Sequence, residues 1–347
     1  MSAIRADAVA QPVPPVVPAA WVRERADGDD ALVLADVRWY LDGRSGYDAY
    51  LGGHLPGALW VDVDTDLAAP PTPSGGRHPL PAPEEFAARL GRLGIAEDSV
   101  VVAYDDQGGG FAARLVWLLR RTGRAAALLD GGLAGWPGAL DTGPVHRAPV
   151  TRRVTPWPAA LLRDADQVAR AAGAPDALVL DSRAAGRYSG ADAHAGETRS
   201  GHVPGALSAP WQENLAADGT FRSPEELRRR FEELGAADAE EVVFSCGSGV
   251  TACHNLLAVE RAGLPDAALF PGSWSAWSAD PDRPVVAGPY PFPTDGPDGP
   301  DAQDPAGPRA GRADAVDVSR TADVSRTADV SRTADAPDAS RTEGAVR

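Results

Sequence analysis

The sequence predicts two tandem α/β domains, each a mainly parallel sheet flanked by helices, followed by a disordered tail. Three observations lead there. Short Val/Leu/Ala runs alternate with stretches of helical periodicity. Four sequence blocks occur twice in the same order. Beyond about residue 288 both patterns stop.

Taken along the chain, the opening "MSAIRADAVAQPVPPVVPAA" is interrupted by prolines and lacks the basic start and unbroken apolar stretch of a secretory signal. Residues 32–37, 100–104 and 125–129 read as buried strands, and 83–94 and 111–122 as helices. "PAPEE" and "SPEE" mark helix starts, with proline and acids in the first turn. Strands separated by helices pair in parallel, which gives a doubly wound sheet. The first half contains "LVLADVRWYLDG", "GHLPGALWVDVD", "VVVAYDDQGGG" and "LLDGGLAGW". The second repeats the series as "LVLDSRAAGRYSG", "GHVPGALSAPW", "VVFSCGSGVTA" and "FPGSWSAW". Asp105 and Cys246 each end an apolar run; a glycine follows 26 residues later and a tryptophan 31 residues later in both copies. That regularity indicates a tandem duplication. The expected organisation is a first domain over 18–142, a linker over 143–158, a second domain over 159–287 and a tail over 288–347. In the tail, proline and glycine give way to three consecutive copies of "DVSRTA", a repeat too polar to bury a core.

Composition removes several function classes. At a formal net charge of −16 the chain has no overall field for nucleic acid or an anionic membrane surface. An anionic substrate must be held by a local group of arginines, the 33 basic residues being arginine without exception. No segment approaches the ~20 apolar residues needed to cross a bilayer. Two cysteines in 347 residues cannot make a disulfide framework and suit a reducing cytosol, so a cytoplasmic protein is expected.

One of those cysteines marks the candidate site. Cys246 follows the run "EVVFS", where a parallel strand delivers a side chain to the carboxyl edge of its sheet. Gly247, Ser248 and Gly249 permit a tight loop whose N–H groups turn toward one point, and a helix starting near Val250 adds its positive end. Such a nest favours the thiolate, the reactive form of the group. The glycine-bearing loop implies an exposed sulfur. The bland alternative is a small buried hydrophobe, but the duplicate carries Asp105 at this position, and a packing cysteine would not be exchanged for a charge. Cys253 falls among apolar helix neighbours and reads as core. Cys246, Cys253 and His254 have poor spacing for zinc, and no motif suggests an organic cofactor, so neither metal nor cofactor is expected.

The blocks "CGSGVTA", "GHLPGA", "GHVPGA", "LLDGGLAGW" and "GSWSAW" resemble the two-domain rhodanese-type sulfurtransferases, with the cysteine loop matching the 3-mercaptopyruvate sulfurtransferase branch. The resemblance covers roughly residues 18–287. It implies a catalytically silent first domain and a ping-pong reaction in which Cys246 takes a sulfur from a small-molecule donor and passes the persulfide sulfur to a thiol or cyanide. A thioredoxin-like reductant is among the partners it implies. It further implies a proton relay of Ser248, His78 in "RHPLP" and Asp64 in "WVDVD"; read without it, these are a turn residue, a loop histidine and a strand-end cap. Arg187 matches the family's substrate arginine, while Arg183 reads as a structural pairing residue. Gly247, Gly249, Val250 and Thr251 complete the substrate-binding loop. The family's second carboxylate-binding arginine is out of register in "ADAHAGETRSGH", where Arg199 or His194 stands in its place.

Rhodaneses proper carry basic residues directly after the cysteine to hold thiosulfate, and Gly247 and Ser248 bring no charge. Two charges at 4 Å are worth ~4 kcal/mol apiece at an effective dielectric near 20, so the expected donor is 3-mercaptopyruvate, with thiosulfate the alternative. A cysteine phosphatase needs an arginine closing the loop, which "CGSGVTACHN" lacks. A non-catalytic binding module is the further alternative, opposed by Cys246 and its intact loop. "DQGGGF" has the wrong spacing for a dinucleotide fingerprint.

Overall fold

Val16–Val17 (β1) opens a sheet to which Leu32–Asp36 (β2), Leu59–Trp60 (β3), Val100–Tyr104 (β4) and Ala126–Leu129 (β5) add. The order is β1-β5-β4-β2-β3 and every pairing is parallel. Ala19–Ala26 (α1), Gly46–Gly52 (α2), Pro83–Arg92 (α3) and Ala112–Arg121 (α4) are its helices. The structure, a computed structural model, describes residues 13–26, 28, 31–192 and 197–292. The second half repeats the plan with Ala165–Ala172 (α5), Ala177–Asp181 (β6), Ala185–Ser189 (α6), Leu207–Ser208 (β7), Pro224–Glu233 (α7), Glu241–Ser245 (β8), Ala252–Arg261 (α8), Ala268–Leu269 (β9) and Ser273–Ala279 (α9). Its sheet, β7-β6-β8-β9, is also wholly parallel. The expected tail lies, from residue 293 onward, outside the described residues. Among the described residues no helix is long and apolar enough to cross a membrane.

The apolar runs become inner strands because a parallel sheet covered on both faces has no polar side to show. Thus β4 and β8 lie between two neighbours each, and their carboxyl ends carry Asp105 and Cys246. The helices begin where the acids said they would. Pro224 opens α7 behind a reciprocal cap in which the Ser223 side chain accepts from the Glu226 N–H and the Glu226 carboxylate from the Ser223 N–H. Their ends are shorter than periodicity suggests. The expected helix over 83–94 stops at Arg92 because Gly94 takes a φ of +73°, the left-handed conformation that closes helices. That over 111–122 runs from Ala112 to Arg121, and the Asp105 carboxylate accepts from the Phe111 and Ala112 N–H groups at its start.

The two halves meet along α4 and α8, which pack on each other. Residues 112–119 of α4 and 252–259 of α8 are buried throughout. One hydrophobic cluster runs from Val33 and Trp117 in the first half to Phe244 and Leu257 in the second. Each large apolar side chain removed from water stabilises the chain by roughly 1.5–3 kcal/mol, so the junction is itself core. At its rim Arg121 reaches Glu260 at 2.6 Å and Asp266 at 2.7 Å.

Candidate active site

Strand β8 ends at Ser245, and the next six residues form a loop leading into α8. The loop is fixed from outside by α9. Trp274 N–H donates to the Cys246 carbonyl at 3.0 Å and Ser275 N–H to the Gly247 carbonyl at 2.9 Å. The Ser273 hydroxyl accepts from the Cys246 N–H at 3.0 Å and donates to the Phe270 carbonyl at 2.8 Å. Among the described residues Ser273 is the non-glycine residue at positive φ, +50°. Strain of this kind persists where surrounding contacts over-determine the backbone, commonly at functional sites. With its carbonyls held outward, the loop turns an N–H inward: that of Gly249 lies 3.1 Å from the Cys246 sulfur. Gly249 has a φ of +77°, and a Cβ there would lie 2.4 Å from the Pro271 carbonyl oxygen, so no other residue fits.

The expected exposure of the thiol is corrected: Cys246 is 1% exposed. It lies instead at the wall of a cavity of about 230 Å³ between the halves. Trp39, His78 and Phe111 of the first half line that cavity, as do Arg187, Trp211 and Ser248 of the second. Gly247, Val250 and Thr251 also face it. The sulfur is therefore shielded from bulk water while remaining open to a small molecule, because the first half forms the opposite wall.

His78 comes to this cavity from the first half, with Asp64 behind it. His78 Nε2 lies 2.8 Å from Asp64 Oδ1, and Nδ1 lies 2.7 Å from the Ser248 hydroxyl. A carboxylate accepts, so Nε2 carries the ring proton and a neutral ring accepts the Ser248 proton at Nδ1. Asp64 also accepts from Trp39 Nε1 at 2.9 Å. The His78 hydrogen bond, with that of Trp39, holds the Asp64 carboxyl below its usual range against partial burial. Arg114, fully buried on α4, ties the arrangement together by donating to the Gly249 carbonyl at 2.9 Å and to the His78 carbonyl at 3.2 Å.

The cation side of the site differs from expectation. Arg183 pairs with Asp181, with Nε 3.0 Å from both carboxylate oxygens and Nη2 2.6 Å from Oδ2. Arg187 lines the cavity and is ion-paired to Glu197, a carboxylate 3% exposed. Arg183 Nη1 and Arg187 Nε are buried donors with no hydrogen-bond acceptor among the described residues. Arg199 does not reach the cavity, which corrects its expected substrate role. Its guanidinium donates to the carbonyls of Ser278 at 3.0 Å, Arg283 at 2.8 Å, Trp277 at 3.1 Å and Asp280 at 2.5 Å. The bare carbonyls at the end of α9 capture it, as helix C-termini capture cations generally. His194 lies outside the described residues. Sequence reasoning missed Arg77, Glu197, Ser273 and Arg114. Arg77 alone carried a signal, a cation placed directly before His78 in "GGRHPLP".

At the matching position of the first half, the Asp105 carboxylate accepts from four N–H groups: Gln107 and Gly109 at 2.8 Å, Phe111 at 2.9 Å and Ala112 at 3.0 Å. This loop is an anion nest filled by its own side chain. Burial pushes the Asp105 carboxyl up and the four amides oppose that. Cys253 is buried in α8, where desolvation raises its thiol to about 12, so it packs and does not react. Among the described residues no group of three or more His, Cys, Asp and Glu side chains could hold a metal ion.

Comparison with known proteins identifies the family of both halves. Residues 18–139 and 164–280 each match the family model described as the rhodanese-like domain. A Pseudomonas aeruginosa protein named "Probable 3-mercaptopyruvate sulfurtransferase" is 44% identical over 76% of this chain and 95% of its own length. The human 3-mercaptopyruvate sulfurtransferase is 36% identical over 76% of this chain and 91% of its own. The crystal structure of the 3-mercaptopyruvate sulfotransferase SseA from Escherichia coli superposes with a TM-score of 0.66 at 33% identity, covering 76% of this chain and all of that one.

Proposed function

Since the chain belongs to the rhodanese-like family and is an enzyme of the sulfurtransferase type, we propose that it transfers sulfur from 3-mercaptopyruvate to a thiol or cyanide through a persulfide on Cys246. The observation that carries this reading is the continuous hydrogen-bond chain from Asp64 through His78 to Ser248, beside the Cys246 loop. The Cys246 thiolate attacks the donor sulfur. A new S–S bond forms, the donor C–S bond breaks, and its electron pair leaves on the carbon as pyruvate enolate. That carbanion needs a proton, and the donor's own S–H supplies it: the proton passes through Ser248 to His78 Nδ1, whose imidazolium Asp64 supports, and returns through Ser248 to the carbon, leaving the persulfide as an anion. The persulfide anion is held by loop amides such as that of Gly249. An acceptor thiolate then removes the outer sulfur and regenerates Cys246.

The donor carboxylate meets Arg187, whose buried Nε lacks an acceptor among the described residues. Thiosulfate is a second donor reading, favoured by guanidinium groups close to Gly247, which bring the positive charge that the loop itself lacks. Glu197 offsets part of that charge, which favours the singly charged keto acid. A free-thiol nucleophile works in a reducing compartment, so we place the reaction in the cytoplasm, where a thioredoxin-like dithiol could serve as acceptor.

Incubation with 3-mercaptopyruvate and no acceptor should release one equivalent of pyruvate and leave an adduct of about 32 Da on Cys246, as expected for persulfidation. Cys246→Ser should do neither. Pyruvate release by the serine variant at the wild-type rate sinks the proposal, and persulfide formation from thiosulfate alone moves the assignment to that donor.

A further inference from the structure

From a carboxylate buried behind the expected substrate arginine, and resting on the donor reading above, we infer that Glu197 is a specificity-determining residue. Acting through Arg187, it trims the positive charge offered to the donor, so that a singly charged anion is taken in preference to a doubly charged one. Three guanidinium groups, those of Arg77, Arg183 and Arg187, line the cavity that holds Cys246. Arg183 is gripped by Asp181 through Nε and Nη2. Arg187 donates through Nη2 to Glu197 Oε1, while Glu197 Oε2 lies 3.9 Å from Arg183 Nη1. The Glu197 side chain is 3% exposed and stands behind Arg187, facing the arginines and not the donor.

Glu197 is held there by the helix that also holds the nucleophile. The Thr198 hydroxyl donates to the Ser278 carbonyl at 2.7 Å, and the Arg199 carbonyl accepts from Trp274 Nε1 at 3.1 Å. The Arg199 guanidinium gives its donors to the carbonyls of Trp277, Ser278, Asp280 and Arg283. Near its start, the same helix donates from the Trp274 and Ser275 N–H groups to the Cys246 and Gly247 carbonyls. The two residues after Glu197 are thus anchored on α9, which fixes the counter-charge and the cysteine loop in one frame. A carboxylate so anchored does not swing away when a donor enters.

A buried ion pair adds little stability over an apolar pair of similar shape, and a carboxylate set on the substrate arginine weakens the grip on every anion. What it brings is discrimination, because repulsion from a fixed carboxylate grows with the charge of the bound anion. At an effective dielectric of about 20, each negative charge about 7 Å from it loses roughly 10- to 100-fold in affinity. At neutral pH 3-mercaptopyruvate carries one such charge and thiosulfate two, so thiosulfate meets the penalty twice. Arg187 keeps Nε, buried and without an acceptor among the described residues, for the one carboxylate that is admitted.

The test compares wild type with Glu197→Gln, which keeps the shape and removes the charge, and Glu197→Asp, which keeps the charge. In Glu197→Gln the kcat/KM ratio of thiosulfate to 3-mercaptopyruvate should rise about 10- to 100-fold at constant ionic strength, chiefly through KM. In Glu197→Asp it should stay within a few-fold of wild type. The rise should come from a gain with thiosulfate, which damaged folding cannot give. Sulfate, an unreactive dianion, and pyruvate, a monoanion, supply a second readout. The sulfate concentration that protects Cys246 from the neutral reagent iodoacetamide, relative to that of pyruvate, should fall by the same factor in Glu197→Gln. This readout needs no turnover, so it judges Glu197 even if 3-mercaptopyruvate fails as a donor in wild type, a result that would remove the donor reading instead. Ratios unchanged in Glu197→Gln, a rise produced only by lost 3-mercaptopyruvate turnover, or an equal shift in Glu197→Asp overturns the inference.

Discussion

His78 and Ser248 stand 170 residues apart in sequence and 2.7 Å apart in space, one in each half of a duplicated chain. The contact gives the half without a reactive cysteine a place in the proposed chemistry: it supplies Asp64 and His78, and its side chains form one wall of the cavity at Cys246.

His78→Ala removes the group that orients and recharges the Ser248 hydroxyl. Steady-state turnover of 3-mercaptopyruvate should fall by about 10²–10⁴, because the enolate formed on C–S cleavage must be protonated. Thiosulfate turnover should fall far less, since sulfite departs as a stable anion and needs no proton. Asp64→Asn should act in the same direction by removing the acceptor that keeps the ring proton on Nε2. Equal losses with both donors would show that His78 is structural.

Asp105→Ala leaves four N–H groups without their acceptor, those of Gly109 and Ala112 buried. We expect destabilisation of about 3–5 kcal/mol in urea unfolding. Asp105→Asn should cost less, because its one remaining carbonyl oxygen still accepts from part of the nest. A loss under 1 kcal/mol for the alanine variant would mean that the loop reorganises without an internal anion.

Arg114→Met tests whether the halves are coupled through the buried guanidinium. The Gly249 and His78 carbonyls would both lose their donor. Stability should fall by about 3 kcal/mol, and kcat for 3-mercaptopyruvate by about tenfold beyond any change with thiosulfate, since displacements well below 1 Å suffice to loosen a proton-transfer geometry. Rates that hold constant for both donors would confine Arg114 to stability.

Much of this was legible in the sequence because it is local or repeated. The strand ends at Asp105 and Cys246 stand out by comparing one half with the other, and the resemblance of the "WVDVD", "RHPLP" and "CGSGVTA" segments to a known family points to Asp64, His78 and Ser248. What escaped depends on long-range packing. Arg199 looks available until the carbonyl ends of α9 are found beside it. Glu197 passed unnoticed within "ADAHAGETRSGH", yet its side chain is buried against Arg187. The thiol looked exposed because its loop contains glycine, but the covering wall comes from residues such as Trp39 and Phe111, far away in the chain. The helix expected to reach residue 94 ended two residues early because Gly94 takes a left-handed turn, which apolar periodicity does not register.

His254 gives a pH prediction whose sign follows from its surroundings. The ring is buried at the junction, stacked on Phe221 with centroids 4.5 Å apart. Nε2 lies 3.1 Å from the Gly108 carbonyl, to which it donates, and Nδ1 lies 3.0 Å from Asn214 Nδ2, from which it accepts. Both nitrogens are satisfied only in the neutral ring. Burial therefore lowers its pKa from 6.5 to about 3. Between those values the unfolded chain binds a proton that the folded chain refuses, so stability is intact above pH 6.5 and is lost as pH falls toward 3. The loss is at most roughly 1.4 kcal/mol per pH unit inside the window. His202, also lowered chiefly by burial, adds to the same trend. Urea midpoints measured from pH 7 to pH 4 should decline for wild type and decline less steeply for His254→Gln, which cannot take up the proton. Parallel declines would show that His254 is protonated alike in the folded and unfolded chains, and that the acid sensitivity of the junction arises elsewhere.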